Sequence, residues 1–264
     1  MANQILRDER IRSVEWKDLT YLTRAEVLKE LALSLPWLAA SLGLANARLY
    51  LLALPASFMF FLVGLRQVHN AYHYALGLSR RGSDLVMLVL SGLMLGSMHA
   101  VQLNHLEHHQ HCLTDNDVEG ASARMPAWKA ILIGPLFPIR LHRNALQKAR
   151  GPAARWMAAE LVLTAGMVAA GVLISAAWLR YHVIAMAAGQ CLTSFFAVWT
   201  VHHDCGEPGP FARTLRGILK NGATYNMFFH VEHHLFPAVP TCHLPQLAAR
   251  LDKAAPELTR LRVF

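Results

Sequence analysis

Hydrophobic positions fall into long runs rather than into an alternating pattern. Residues 31–47 and 49–65 are apolar and are separated only by Asn46, Ala47 and Arg48. Each run is at the short end of the roughly 17–25 residues that cross a bilayer as a helix, so together they predict a transmembrane hairpin over 31–65. Residues 158–178 and 183–201 form a second hairpin, with its turn placed at Leu179–His182. Residues 85–103 are also apolar, but they contain His99 and run directly into a histidine-rich patch. A span there would put neighbouring histidine patches on opposite sides of the membrane, so a buried or re-entrant helix is expected instead. Residues 1–30 space Ile11, Val14, Leu19, Leu22 and Val27 among charges, the pattern of a helix lying on a membrane surface. Residues 127–141, with Trp128 and Arg140, read as interfacial, and the polar–apolar mixture after residue 201 reads as a helical cap. The expected fold is all-α and integral to the membrane. It has about four transmembrane helices in two hairpins and a cytoplasmic helical cap, all in one domain over 1–264.

Composition strengthens this picture. Of 264 residues, 54% are hydrophobic and only 16% are charged, against about a quarter charged in soluble domains. Disorder, coiled coil and collagen are excluded. No cleavable signal peptide is recognisable at the start. The four cysteines, Cys112, Cys191, Cys205 and Cys242, form no CxxC pair and are read as reduced thiols.

Charge supplies the orientation. Of the 25 Lys and Arg, all but Arg48 and Arg180 fall in the N-terminus, the 66–157 segment or the part after residue 201. The positive-inside rule makes that side cytoplasmic, and a bacterial inner membrane is the expected location. The net charge of +8 points to anionic lipid or an acidic partner. Nucleic acid is not expected, because no phosphate-cradling loop or RNA-binding aromatic motif is present.

Fifteen histidines are the anomaly, and eleven of them lie in four patches, all on the expected cytoplasmic side. His69 and His73 share a helix face at i and i+4. His105, His108 and His109 follow the i, i+3, i+4 pattern, with His111 beyond, and His230, His233 and His234 repeat it; His202 and His203 end the last span. One pair of this kind is usually a surface accident. Eight on one membrane face would repel if charged and would need partners if buried and neutral. Metal supplies those partners, and the number of imidazoles exceeds what one ion takes, so two ions are implied.

The H-x3-H, H-x2-HH and H-x2-HH boxes resemble those of the membrane fatty acid desaturases and hydroxylases. The stretch from Tyr225 to Pro237, YNMFFHVEHHLFP, is similar to the third box of that family, and the resemblance covers roughly residues 45–250. It implies two iron ions passing between Fe2+ and Fe3+, O2 as co-substrate and an external electron donor. Carried over by position, the ligands would be His69, His73, His105, His108, His109, His230, His233 and His234, with one of His202 or His203 as the extra histidine. Asn70 stands where the family often has an acidic residue, and it is expected to tune the site rather than abolish it. Glu107 and Glu232 stand equally well as carboxylate partners of ligand imidazoles and as exposed helix-face charges. Asn226 is a candidate support or helix cap. Asp115 and Asp117 are read as loop residues and Cys112 as structural; His142, His182 and His243 are read as non-ligands.

The function expected from this reading is O2-dependent oxidation of C–H bonds in a lipid-like chain, foremost fatty acyl desaturation. Hydroxylation or ketolation of an acyl or carotenoid substrate is the alternative. A membrane zinc hydrolase would need fewer protein ligands and an open position, and a transporter would place polar ligands mid-bilayer. With no cofactor fingerprint in the chain, electrons are expected from a ferredoxin-like donor and its reductase. The donor would be steered to the positive 66–157 loop, where the same charges also suit topology and anionic lipid.

Overall fold

The computed structural model describes Ile5 and residues 8–206 and 210–263. Those of residues 1–4, 6 and 7 that belong to the expected surface helix lie outside the described residues. Among the described residues there is no strand, only isolated bridges from Thr214 to Phe229 and to Arg262.

The helices are α1 (Glu9–Arg12), α2 (Arg24–Ala32), α3 (Leu35–Asn46), α4 (Tyr50–Tyr72), α5 (Arg80–Met94) and α6 (Met98–His111). They continue with α7 (Ala127–Leu132), α8 (Leu136–Lys148), α9 (Gly151–Leu173) and α10 (Ala177–Thr193). After α10 come α11 (Ile218–Ala223), α12 (His230–Leu235) and α13 (Leu244–Ala254). Four segments are long and apolar enough to cross a membrane: Arg24–Asn46, Tyr50–Tyr72, Gly151–Leu173 and Ala177–His202. They form two hairpins, as expected, with shifted boundaries.

The first span begins at Arg24, so residues 24–30 belong to the membrane hairpin and not to a surface helix. Thr23 caps α2 reciprocally with Glu26, which fixes the start. Of the four charges that make this stretch look aqueous, Glu30 is buried and ion-paired with Arg66 of α4. Pairing removes the charge from hydropathy's ledger without removing it from the sequence. In the second hairpin the turn is Ile174–Ala176, not Leu179–His182. His182 stays inside α10 because its Nε2 donates to the Leu93 carbonyl at 2.9 Å.

Residues 80–111 do not cross straight. α5 ends at Leu95, which adopts the left-handed conformation (φ 59°), and α6 restarts at a Ser97 cap after a bend of 112°. Glu160 of α9 secures this elbow. Its carboxylate accepts from Ser97 Oγ (2.6 Å) and His99 N (3.0 Å) and faces His99 Nδ1 at 2.6 Å. A carboxylate at a helix N-terminus meets both the free N–H groups and the positive end of the dipole. The bend therefore has a specific polar anchor, and α6 is aimed back toward the end of α4.

At the far end of Ala177–His202, Ser194–Trp199 is a π-helical stretch. Such stretches shift side-chain phase and recur at functional sites. Ser194 Oγ donates to Ala130 O at 2.6 Å, tying the stretch to α7. His202 follows directly. The C-terminal part packs as a separate core beside the span ends: Leu244, Leu247 and Leu251 of α13 join Phe229, Val231, Phe236, Ile11 and Leu19.

Candidate metal centre

Two histidine groups lie side by side. In the first, ligand atoms of His69 and His73 at the end of α4, His105 of α6 and His233 of α12 all lie within 4.8 Å of one another. His109 Nε2 adjoins this group, 3.2 Å from His105 Nε2 and 2.9 Å from His233 Nε2. In the second, the ligand atoms of His108, His202, His234 and Cys112 are equally close. His230 Nε2 sits 2.9 Å from His202 Nε2 and 3.1 Å from His234 Nε2. The groups adjoin through His109 and His234, whose rings stack at 4.3 Å.

The protonation pattern explains why these atoms need a cation. The Phe211 carbonyl can only accept, so His202 Nδ1, 2.8 Å away, carries the proton. In the neutral ring the Nε2 lone pair then points inward. Asp117 faces His108 Nδ1 at 2.7 Å and Glu119 faces His105 Nδ1 at 3.0 Å, and each assigns the proton to Nδ1 in the same way. With both rings neutral, the form that binds metal, His108 Nε2 and His202 Nε2 are two lone pairs 3.1 Å apart. Neighbouring nitrogens on one ion at metal–nitrogen distances of about 2.1 Å sit roughly 3 Å apart. The donor set fits a metal and is poorly satisfied without one.

Electrostatics point the same way for most of these rings. His108 is the exception: burial lowers it, but the bond to Asp117 outweighs burial and raises it above the ordinary histidine value. Burial, followed by the adjacent imidazoles, pushes His230, His233 and His234 well below the ordinary histidine value. His73 is lowered by burial and by His105. Neutral imidazole is the form that binds metal. Burial raises Asp117, but bonds from His108, Gly120 N and Leu113 N outweigh it and hold the carboxyl low.

Nine of the ten sequence-selected histidines are thus brought together. The tenth, His203, turns away: it stacks on Trp199 at 4.4 Å and its Nδ1 faces the Trp199 and Thr200 carbonyls. The helix end at His202 rotates the next residue off the cluster. His111 is exposed. His142 and His243 also lie outside the two groups.

The supporting residues differ from the sequence reading. Glu107 faces Lys148 Nζ at 2.7 Å and Asn144, not a histidine. Glu232 is fully buried but receives Arg216 and Thr214 Oγ1, because its side chain leaves α12 on the face opposite the cluster. Asn70 donates to Glu30 and accepts from Thr241 N and Oγ1, tying α4 to the segment after the third box. Asn226 has φ 63° and its backbone N–H donates to Asn221 O. The groups that orient ligand rings are instead Asp117, read from sequence as a loop residue, and Glu119, which the sequence reading did not single out. Glu119 has no periodic relation to the boxes, but an acidic residue soon after a histidine box was the available signal. Asp115, by contrast, is an exposed partner of Arg124.

Residues 45–263 match the fatty acid desaturase family. The chain belongs to that family. It is 27% identical to the sphingolipid delta(4)-desaturase/C4-monooxygenase of Bos taurus, over 72% of this chain and 60% of that protein. The chain therefore spans about 60% of the length of the curated relative it matches. No solved structure matches it. The family is one of lipid-modifying oxidoreductases, in keeping with the membrane-length helices and the histidine groups of this chain.

Proposed function

We propose that this desaturase is an O2-dependent membrane oxidase that carries two iron ions and removes hydrogen from a lipid-like chain. The observation that carries the reading is that imidazoles of both groups line an apolar cleft. The cleft is lined by His69, His105 and His230 together with Leu65, Phe196 and Val201. A second apolar space shares Leu65, Thr193 and Phe196 with it and continues between α4 and α10. Leu54 and Phe58 line that space and are also exposed on the outer surface of the helices. A hydrocarbon chain can enter there from the bilayer without crossing water.

His69, His73, His105, His109 and His233 would hold one ion, and His108, His202, His230 and His234 the other. Bound iron supplies O2 activation and hydrogen removal from unactivated carbon. The chain's own residues do the rest. Asp117, Glu119 and the Phe211 carbonyl fix the imidazole tautomers and keep Nε2 free for metal. The apolar walls orient the substrate and exclude water, so binding geometry selects the carbon presented. Desaturation is the first reading. Hydroxylation at the same site is the second, because the bovine relative's name couples both outcomes.

Electrons would come from a ferredoxin-like donor. The exposed cations Arg80, Arg81, Arg140 and Arg143 offer an acidic protein a docking face. Arg66 is no part of it, since it is buried against Glu30. Termini and metal centre on the cytoplasmic side follow from the distribution of Lys and Arg.

The test is product analysis after reconstitution in vesicles with ferredoxin, its reductase and NADPH. The expected result is an O2-dependent lipid product lacking two hydrogens. An added oxygen atom would favour the hydroxylase reading, and product formed without O2 would reject both.

A further inference from the structure

We propose that Cys112 is a ligand of the second ion, so that the two ions of this centre have unlike donor sets. This rests on the two-ion reading above. The first group has five imidazoles, from His69, His73, His105, His109 and His233. The second has four, from His108, His202, His230 and His234, and Cys112 occupies the remaining place.

Cys112 follows His108 by four residues and sits immediately after the last residue of α6. Its Sγ is 4.0 Å from His108 Nε2, and it lies within 4.8 Å of the ligand nitrogens of His202 and His234 as well. Nitrogen and sulfur bound to one ion at about 2.1 and 2.3 Å are separated by roughly 3.1 Å at a right angle and roughly 4.4 Å when opposite. The observed distances fit donors of one ion. Cys112 packs at the edge of the C-terminal core, but its Sγ has no strong hydrogen bond. Its hydrogen-bond acceptor is Phe211 O at 3.6 Å, a carbonyl already taken by His202 Nδ1 at 2.8 Å. None of Cys191, Cys205 and Cys242 joins either histidine group.

The chemistry balances without an oxidant. The Sγ–H bond ionises, the proton passes to solvent water, and the sulfur lone pair forms the bond to metal. The cysteine stays at the thiolate level throughout. The added negative charge favours the higher oxidation state at that ion over its all-imidazole neighbour. The two ions are thereby made inequivalent by sequence, not only by substrate position.

The experiment uses the full chain, iron-loaded in detergent. Metal analysis comes first, because fewer than two irons per chain would reject the two-ion reading rather than the role of Cys112. X-ray absorption at the iron edge is then expected to show a sulfur scatterer at about 2.3 Å, averaging half an atom per iron. Cys112→Ser should keep two irons and lose that scatterer, while Cys205→Ser should keep both. Two irons with only nitrogen and oxygen scatterers in the unmodified protein would overturn the proposal. So would a sulfur signal that survives Cys112→Ser. If that variant does not fold, the spectrum of the unmodified protein decides alone.

Discussion

At the scale of single residues, the carboxylates behind the histidines make the centre specific. Asp117 reaches His108 only because Leu113 takes a left-handed turn (φ 62°) and Gly120 brings its N–H to within 2.8 Å of Asp117 Oδ1. A Cβ on Gly120 would lie 2.1 Å from Asp117 Oδ2, so no side chain fits there. Asp117→Asn removes the charge and leaves the imidazole tautomer unassigned. It is expected to weaken metal binding by about 10- to 100-fold, measured by chelator competition, with the protein still inserted. His203→Ala should leave metal content unchanged. A reversed result would mean that the ligand groups are wrongly drawn. The histidines themselves were legible in the sequence because helix spacing of three and four is visible in one dimension. Asp117 and Glu119 were not, because a loop positions them, and loop geometry depends on backbone conformations that no periodicity reports. The rotation of His203 off the cluster is set by a helix end and was equally invisible.

At the scale of elements, the hairpins were legible and their ends were not. The sequence reading stopped the second leg at residue 65, yet α4 runs to Tyr72 and carries His69. Arg66 looks like a boundary and is instead a buried partner of Glu30, with Asn70 completing the pair. Glu30→Ala would leave the guanidinium buried and uncompensated. The expected cost is about 3–5 kcal/mol of stability, read as a lower unfolding temperature in detergent. Because Asn70 also binds Thr241, the lost order should reach the third box and loosen His69. An unfolding temperature equal to that of the unmodified protein would contradict this account of the hairpin. Acid tests α12 in the same manner. His230, His233 and His234 resist protonation in the fold, so their contribution is complete above about 6.5, the ordinary imidazole value. Below that, the unfolded chain takes up protons that the fold refuses, and stability falls. The metal-free chain should lose unfolding temperature as pH drops from about 8 to about 5. A flat profile would mean that these rings are free to protonate in place.

At the scale of the whole molecule, two of the four helices of membrane-spanning length, Tyr50–Tyr72 and Ala177–His202, and the second half of the bent pair end at one site. The sequence reading anticipated that convergence from two separate features, the side on which Lys and Arg accumulate and the side to which the histidine patches map. It did not contain the cleft, because a space between α4 and α10 exists only once both are packed. Electron delivery belongs to this scale as well. Charge reversal at Arg80 and Arg81, both exposed, is expected to raise the donor concentration needed for turnover without changing affinity for the lipid. The defect should shrink as salt rises, since exposed charges are screened over about 8 Å at physiological ionic strength. Unchanged donor dependence would leave those arginines a purely topological role.

Two ions of a redox metal between these histidines are what the mechanism requires. Metal analysis of the protein purified from iron-replete cells tests this requirement most directly, with single His→Ala exchanges at positions 69, 105, 108 and 233 as companions. Two irons per chain are expected, with iron lost and turnover abolished in each exchange. One zinc per chain, retained when those histidines are removed, would contradict it.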